Sequence, residues 1–205
     1  MLNILSTKAI SHIVQLVLIV ILSFLLIPYA HAAEGIEELN ESLLESANTG
    51  DLEKFKMLLN KGADINAKDF VGKTAMTNSL ANRHFNLSKF IIEKGADVNT
   101  SGINGYSPIY VAVTVNNTKI VEMLLDRGAD ANATMDASLP VLMLAIKNNN
   151  SDIVKALIIK GADVNMQSFS ESGYGQDAKA QTPLMLARKK GNKAIIELLV
   201  KAGAK

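Results

Sequence analysis

Apolar side chains recur along the chain in pairs of short helical segments, and residues 107–132 show one such pair. Ser107 can cap the first helix, and Pro108 fits its first position because a missing N–H costs nothing there. Apolar residues then follow at helical spacing as far as Val115. The dipeptide Asn116-Asn117 breaks this pattern, so the first helix is predicted to end there.

A second amphipathic segment follows at Lys119–Asp126 and carries apolar side chains on one face: Ile120, Val121, Leu124 and Leu125. Gly128 then offers the left-handed conformation that ends a helix. Residues 129–139 have no helical period. The unit is therefore a helix, a turn, a second helix, a glycine stop and a projecting turn or hairpin.

The same unit returns at a fixed interval. The phrase Lys61-Gly-Ala-Asp-Ile-Asn66 recurs, with small changes, at residues 94–99, 127–132 and 160–165. Its glycines are evenly spaced along the chain: Gly62, Gly95, Gly128 and Gly161. A period of this kind indicates one supersecondary unit copied in series, and such units bury a core only by stacking on each other. The sequence predicts an all-α solenoid, which is by default a surface for holding another molecule.

These motifs resemble the ankyrin repeat. The family's Thr-Pro-Leu-His-x-Ala opening reads Thr182-Pro-Leu-Met-Leu-Ala187 and Ser107-Pro-Ile-Tyr-Val-Ala112, and it has drifted at Thr74 and Pro140. The family's Gly-Ala-Asp-x-Asn closing is present four times. Where the family places its histidine, this chain has Thr77, Tyr110, Met143 and Met185. The resemblance implies that the family's Thr–His hydrogen bonds are absent, which should soften the stack without changing the fold.

The resemblance covers about Glu37 to Lys205, within a predicted domain of residues 33–205. It gives five stacked repeats, at about 37–66, 70–99, 103–132, 136–165 and 180–205. The first copy lacks the Thr-Pro opening and carries four acidic residues that suit a solvated end repeat: Glu37, Glu38, Glu41 and Glu45. The fifth copy ends at Lys205, has exposed-face lysines and is expected to be the other cap.

One break interrupts the period, because the interval from Gly161 to Gly203 is longer than the interval between the earlier glycines. The nine extra residues fall within residues 166–181, where Ser, Gly and Gln dominate. Insertions in repeat arrays collect in turns on one face, and tolerated drift is the plain alternative because loop growth costs little. Phe169 and Tyr174 favour a functional loop. Deleting Ser168–Gln176 is expected to restore the period and preserve folding.

The N-terminus has the layout of a secretory signal peptide. Lys8 is the only full charge before Glu34, an apolar run spans Ile13–Ile27, and Ala30-His-Ala32 has the small-x-small pattern of a cleavage site. We predict that residues 1–32 are removed after Ala32 and that the mature protein is periplasmic or secreted, with no membrane attachment. The alternative is an uncleaved segment that tethers the same solenoid to a membrane.

Composition argues against several classes of protein. Without Lys8 the chain has equal numbers of basic and acidic residues, and only three arginines, so it lacks the basic stripe of a nucleic-acid binder. It has no cysteine and no Gly-rich phosphate loop. The one histidine of the mature chain, His84, falls in a turn and is expected to be structural. No catalytic residue, cofactor or metal is predicted.

Two recurring residue types have a structural interpretation. The Asp of each Gly-Ala-Asp phrase suggests a metal site, but copies one period apart lie in different repeats, where each is expected to hydrogen-bond its own turn. The methionines of the helices are expected to pack in the core: Met76, Met123, Met143 and Met185. Gly128→Val should cost far more stability than Gly105→Ala, because Gly128 needs a positive φ at a helix stop whereas Gly105 lies in a variable turn.

The resemblance implies that a partner lies against the projecting turns and the exposed side of each first helix. Carried over by position, the turn residues are Phe70, Val71, Lys73, Ile103, Asn104, Tyr106, Asp136, Ala137 and Leu139, to which the inserted loop adds Phe169 and Tyr174. The first-helix positions are Ala81, Thr114, Lys147 and Lys189. Phe70 and Tyr106 are the expected anchors, because aromatic residues often anchor interfaces. Some of these side chains could instead fold back onto their neighbours.

The sequence therefore predicts an exported, monomeric module that binds another protein and inhibits, protects or scaffolds it, in the periplasm. The alternative within binding is an effector exported onward to act on host proteins. The alternative from another class is an enzyme or metal-dependent hydrolase, which the missing residue types disfavour.

Overall fold

The computed structural model describes residues 15–18, 35–135, 139–169 and 180–205. Within them, residues 15–18 are helical and ten longer helices follow as five consecutive pairs. The first helix, α1, includes residues 35–49. The others are α2 (Leu52–Asn60), α3 (Ala75–Ala81), α4 (Phe85–Glu93), α5 (Pro108–Thr114), α6 (Thr118–Asp126), α7 (Val141–Lys147), α8 (Ser151–Ile159), α9 (Pro183–Lys190) and α10 (Lys193–Lys201).

Short extended elements project between some of the pairs. Strands β1 (Thr134–Met135) and β2 (Leu139–Pro140) form one antiparallel hairpin, and β3 (Ser168–Phe169) and β4 (Ala180–Gln181) form another. A short 3-10 turn occupies Ile103–Gly105, and a single bridge joins Lys68 to Thr74. The predicted unit of two helices, a glycine stop and a projecting turn is confirmed.

A left-handed residue reverses the chain inside each pair. The residues with positive φ at this point are Gly50, Arg83, Asn116, Asn149 and Gly191. The next residue caps the second helix in four pairs, because the side chains of Asp51, Asn117, Asn150 and Asn192 accept backbone N–H groups. Local sequence alone thus specifies the helix–turn–helix unit.

The pairs stack in chain order around one continuous apolar core. The first helices α3, α5, α7 and α9 contact one another in succession, and so do the second helices α4, α6, α8 and α10. The core holds the apolar side chains of both rows, among them Phe55, Leu80, Ile109, Leu142 and Ile153. The predicted all-α repeat solenoid is confirmed.

A ladder of hydrogen bonds ties neighbouring repeats through the Gly-Ala-Asp-x-Asn phrase. Each Asp carboxylate accepts the N–H of the Asn two residues on, at 2.8–2.9 Å, as predicted. The side chains of Asn66, Asn99 and Asn132 then accept the N–H of the next repeat's Asp, at 2.7 Å for the N–H of Asp163, and Asn165 accepts the N–H of Lys205. Hydrogen bonds from the Thr100 hydroxyl and the Asn99 N–H hold the pKa of Asp97 below its usual value.

Two helix openings differ from the prediction. The hydroxyl of Ser107 makes no cap: it is buried and, among the described residues, has no hydrogen-bond partner. At the second repeat, Thr77 takes over the missing histidine's role, since its hydroxyl accepts from the Thr74 N–H at 2.9 Å while its own N–H donates to the Thr74 hydroxyl. These two hydrogen bonds form a capping box, which replaces the Thr–His hydrogen bonds that were expected to be absent at this helix start.

The prediction that all four methionines are core residues was wrong for Met185. Met76 and Met143 are 1% and 0% exposed and Met123 is partly buried against the core, but Met185 is 56% exposed. Met143 and Met185 hold the same position in α7 and α9. Helix α9 packs on α7, whereas within the described residues no further first helix packs on the other side of α9.

The prediction that Gly105 lies in a variable turn was also wrong, because the structure restricts this position. Its φ is +73°, and a Cβ would lie 2.5 Å from the carbonyl oxygen of Thr134 in the next projecting turn. Gly128 has φ +85°, but a Cβ there would meet nothing within 4 Å. Both sites need a conformation that glycine favours, and only Gly105 adds a close backbone approach.

The predicted signal peptide lies outside the described residues except for residues 15–18. Within the described part of the chain, no helix has both the length and the apolar character required to cross a membrane.

Candidate protein-binding surface

A groove of about 490 Å³ lies between the projecting turns of the second and third repeats and helix α3. Four of the predicted turn residues and one predicted helix residue line it: Val71, Lys73, Ile103, Tyr106 and Ala81. The sequence analysis missed the other three lining residues, Thr77, Asn78 and Gly102. The structure thus brings the turn row and the first-helix row together at one place.

Hydrogen bonds from the backbone and from the Asp69 side chain fix the turn that presents Phe70. The carboxylate of Asp69 accepts the N–H groups of Val71 at 3.0 Å and Lys73 at 2.8 Å. The Asp69 N–H donates to the Lys73 carbonyl at 3.0 Å, which closes the turn. Asp69 is a positioning residue that the sequence analysis did not identify, although an Asp at the start of a turn is a known signal.

The second and third turns are joined directly to each other. The N–H of Ile103 donates to the carbonyl oxygen of Val71 at 3.0 Å. A Cβ on Gly72 would lie 3.0 Å from the Cα of Gly102, so the two backbones approach closely at this point. The side chains of Phe70 and Ile103 are 96% and 61% exposed on this paired support. The turn tips therefore offer two solvated apolar side chains on a fixed backbone.

Other predicted residues fold back onto the core or lie outside the described part. Tyr106 and Leu139 are partly buried and pack against the core, whereas Lys73 is exposed. The backbone of Asn104 lies in the 3-10 turn and that of Phe169 in β3; their side chains lie outside the described part of the structure. Asp136, Ala137 and Tyr174 fall outside the described residues. Among the helix positions, Ala81, Thr114 and Lys189 are exposed and Lys147 is half-buried.

Replacing Tyr106 with alanine is expected to lower the free energy of unfolding by about 1–3 kcal/mol, because its ring packs against the core. The matched variant Ile103→Ala should change it by less than about 0.5 kcal/mol, since that side chain is mostly in water. Urea denaturation measures both. Equal losses would contradict the different burial of the two side chains.

The structure moves the boundary of the inserted loop. Ser168, which was within the proposed deletion, is only 4% exposed and pairs with Gln181 in the β3–β4 hairpin. Removing it would remove strand β3. Residues 170–179, which hold most of the insertion, lie outside the described part of the chain.

Deleting the nine residues Ser170–Ala178 instead is expected to preserve folding, with a change in unfolding free energy below about 1 kcal/mol. Three residues would then separate Ser168 from Gln181, as residues 136–138 separate Met135 from Leu139 in the previous hairpin. The deletion of Ser168–Gln176 serves as the control and should be less stable, because it removes a strand. Thermal melts compare the two, and a more stable control would contradict the hairpin register.

The histidine of the repeat domain has a structural role. His84 is the N-cap residue of α4, and its Nε2 lies 2.9 Å from the Asn48 carbonyl oxygen in the preceding repeat. A Cβ on Gly50 would lie within 3 Å of this ring. Within the described residues, no group of His, Cys, Asp and Glu side chains could hold a metal ion.

Comparison with known proteins agrees with this architecture. A family model described as ankyrin repeats in three copies matches residues 43–135 and 142–205, which is most of the chain. No curated protein matches the chain.

Proposed function

Because the chain belongs to the ankyrin-repeat family and is thus a protein–protein interaction module, we propose that it binds its partner through the groove beside Phe70 and Ile103. The observation that carries this proposal is the fixed pair of turns. Phe70 is 96% exposed and Ile103 61% exposed, although the backbone beneath them is tightly hydrogen-bonded. A backbone that is already fixed loses little entropy on binding, so apolar side chains exposed on it suit an interface anchor.

The bound partner would be inhibited, protected or scaffolded, with no reaction catalysed by this chain. The groove is lined by apolar, hydroxyl and amide side chains, with Lys73 as its one ionisable lining residue besides the phenol of Tyr106. Such a lining can recognise a side chain but offers no nucleophile paired with a base. We propose that the module acts as a monomer.

Export to the periplasm is part of the proposal. It is supported by the single charge before the apolar run Ile13–Ile27 and by the small residues of Ala30-His-Ala32. N-terminal sequencing of the protein from fractionated cells should find Ala33 as its first residue in the periplasmic fraction. An intact Met1 in the membrane pellet would mean that the segment is an anchor, and the mature chain in the culture medium would favour an effector.

The binding site is tested by affinity isolation with tagged chains from the periplasmic fraction of source cells. The double variant Phe70→Ser/Ile103→Ser should lose the protein that the unaltered chain retains. The matched control Met57→Ser/Val200→Ser removes two apolar side chains that are 47% and 53% exposed on second helices, and it should retain the protein. Loss of the protein with the control alone would place the interface on the second helices.

A further inference from the structure

We propose that the partner presents an extended peptide segment to the groove, and that the side-chain amide of Asn78 pairs with the backbone of that segment. This inference rests on the proposed function, because it specifies the form in which the partner meets the same surface. It comes from one amide group on helix α3 that is almost buried and has no hydrogen-bond partner within the described part of the chain.

Asn78 is a polar exception at an otherwise apolar position. It is the fourth residue of α3, and the fourth residues of α5, α7 and α9 are Val111, Leu144 and Leu186. Val111 and Leu186 are 1% and 5% exposed, and Leu144 is partly buried against the core. Asn78 is buried to a similar degree, at 7% exposed, but it brings an amide to this place.

The other buried polar side chains of α3 have hydrogen-bond partners. The hydroxyl of Thr77 donates to the Thr74 carbonyl oxygen at 3.0 Å, besides its part in the capping box. The hydroxyl of Ser79 lies 2.9 Å from the hydroxyl of Ser88. For the side-chain amide of Asn78, in contrast, the described residues provide neither a donor nor an acceptor, and only its main-chain groups are bonded.

The amide of Asn78 can be reached from the groove, because Asn78 is one of the lining residues. Among the described residues, only the hydroxyl of Ser107 is both unpaired and sealed from solvent, so the Asn78 amide still contacts the space of the groove. An unpaired, nearly buried amide inside a helix lowers stability, because it loses hydration and because Asn is a weak helix former. Such a local conflict is typical of a binding site.

An amide side chain matches the backbone of an extended chain. It carries donor and acceptor groups side by side. In an extended strand the N–H and C=O of one residue point to the same side, which is why opposite residues of an antiparallel sheet exchange two hydrogen bonds. In an α-helix the same two groups point in opposite directions along the axis and are bonded within the helix. The amide of Asn78 therefore selects an extended segment over a helical surface.

The rest of the groove suits the side chains of such a segment. Val71 and Ile103 line it from the two joined turns, and Ile103 is 61% exposed. Successive side chains of an extended chain point to opposite faces. With the backbone held at Asn78, one face of the segment meets the turns, where apolar side chains displace water from Val71 and Ile103. The recognised segment should therefore carry apolar residues at alternate positions.

The stability of the chain tests the premise without a partner. Asn78→Leu gives α3 the residue type of the other repeats and should raise the melting temperature by about 2–4 °C. Asn78→Ala, which removes the amide and leaves the groove open, should melt no lower than the unaltered chain, because Ala is the better helix former. A melting temperature for Asn78→Ala that is lower by more than about 2 °C would overturn the inference, since the amide would then serve the fold.

Peptides that tile the retained protein test the contact itself. The probes are overlapping, fluorescein-labelled twelve-residue peptides that cover the protein isolated with the unaltered chain. Fluorescence anisotropy should find a peptide that binds, and Asn78→Leu and Asn78→Ala should each weaken its binding about tenfold. The matched control Asn60→Ala changes an exposed residue of second helix α2 and should alter the Kd by less than about twofold.

Methylation of the peptide backbone separates a backbone contact from a side-chain contact. A set of peptides, each with one N-methylated residue, removes one backbone donor at a time from the bound sequence. One of these peptides should bind the unaltered chain about tenfold more weakly. The same N-methyl group should cost the Asn78→Ala variant less than about twofold, because the acceptor for that donor is already gone.

Three binding results would overturn the inference: no tiling peptide binds although the whole protein does, Asn78→Ala binds the peptide as tightly as the unaltered chain, or no N-methyl group costs the unaltered chain more than it costs Asn78→Ala. Failure of the proposed function is distinct. If a protein is retained through Phe70 and Ile103 and Asn78→Ala retains it equally, the groove stands and the extended segment falls. If the unaltered chain retains no protein, the proposed function itself falls.

Discussion

Replacing Met143 with alanine is expected to lower the free energy of unfolding by about 2–5 kcal/mol, whereas the same change at Met185 should cost less than about 0.5 kcal/mol. The two residues occupy the same position in α7 and α9, but Met143 is 0% exposed and Met185 is 56% exposed. The large cost at Met143 arises because truncation leaves a cavity between two packed first helices.

The pair is well matched, because residue type, helix position and substitution are identical. Urea denaturation of both variants, with circular dichroism as the signal, measures the difference. Equal losses would mean that α9 does not bury Met143 in the way that the stacked first helices require.

Gly105→Ala is expected to cost at least about 2 kcal/mol of unfolding free energy, more than Gly128→Ala, which should cost about 1 kcal/mol. Both glycines have positive φ, so both variants lose the conformational freedom of glycine. Only at Gly105 would the new methyl group also meet a backbone atom, the carbonyl oxygen of Thr134 at 2.5 Å. The turns of the third and fourth repeats must separate to admit it.

Melting temperatures of the two variants test this order directly. Gly35→Ala is a useful third variant, because a Cβ there meets nothing within 4 Å and its φ is outside the left-handed region. It should melt close to the unaltered chain. A melting temperature for Gly105→Ala equal to that of Gly128→Ala would show that the third projecting turn moves freely.

The repeated unit could be predicted because its signals are local. Each Gly-Ala-Asp-x-Asn phrase forms its own turn through an Asp side chain and a backbone N–H two residues away, and four of the five second helices begin at an Asp or Asn side chain that accepts a backbone N–H. Neither feature depends on a neighbouring repeat. The constant period then specifies the stack, since copies of one unit bury their apolar faces against each other.

Features that depend on contact between repeats could not be predicted in the same way. Met143 and Met185 are alike in sequence context, yet only one has a first helix on its outer side. Phe70 and Tyr106 are both aromatic residues of projecting turns, yet Phe70 points to solvent while Tyr106 packs against the core. Gly105 looks like an ordinary turn glycine until the next turn is placed beside it.

The candidate surface was found only in part for the same reason. Position within the family placed Val71, Lys73 and Ile103 on the projecting turns and Ala81 on a first helix, and the structure brings them together around one groove. Asn78 and Gly102 line the same groove but carry no signal in a single repeat. Asn78 lies on a largely buried helix, and Gly102 matters because its backbone approaches Gly72.

Site-specific photo-crosslinking tests the central claim, which is that a protein partner lies in the groove beside Ile103. A photoreactive amino acid replaces Ile103 in one chain and Met57 in another; both side chains are exposed, at 61% and 47%, but Met57 lies on second helix α2. On irradiation in source cells, the chain altered at Ile103 should form an adduct with one protein and the chain altered at Met57 should not. An adduct with the same protein from Met57 alone would contradict the account.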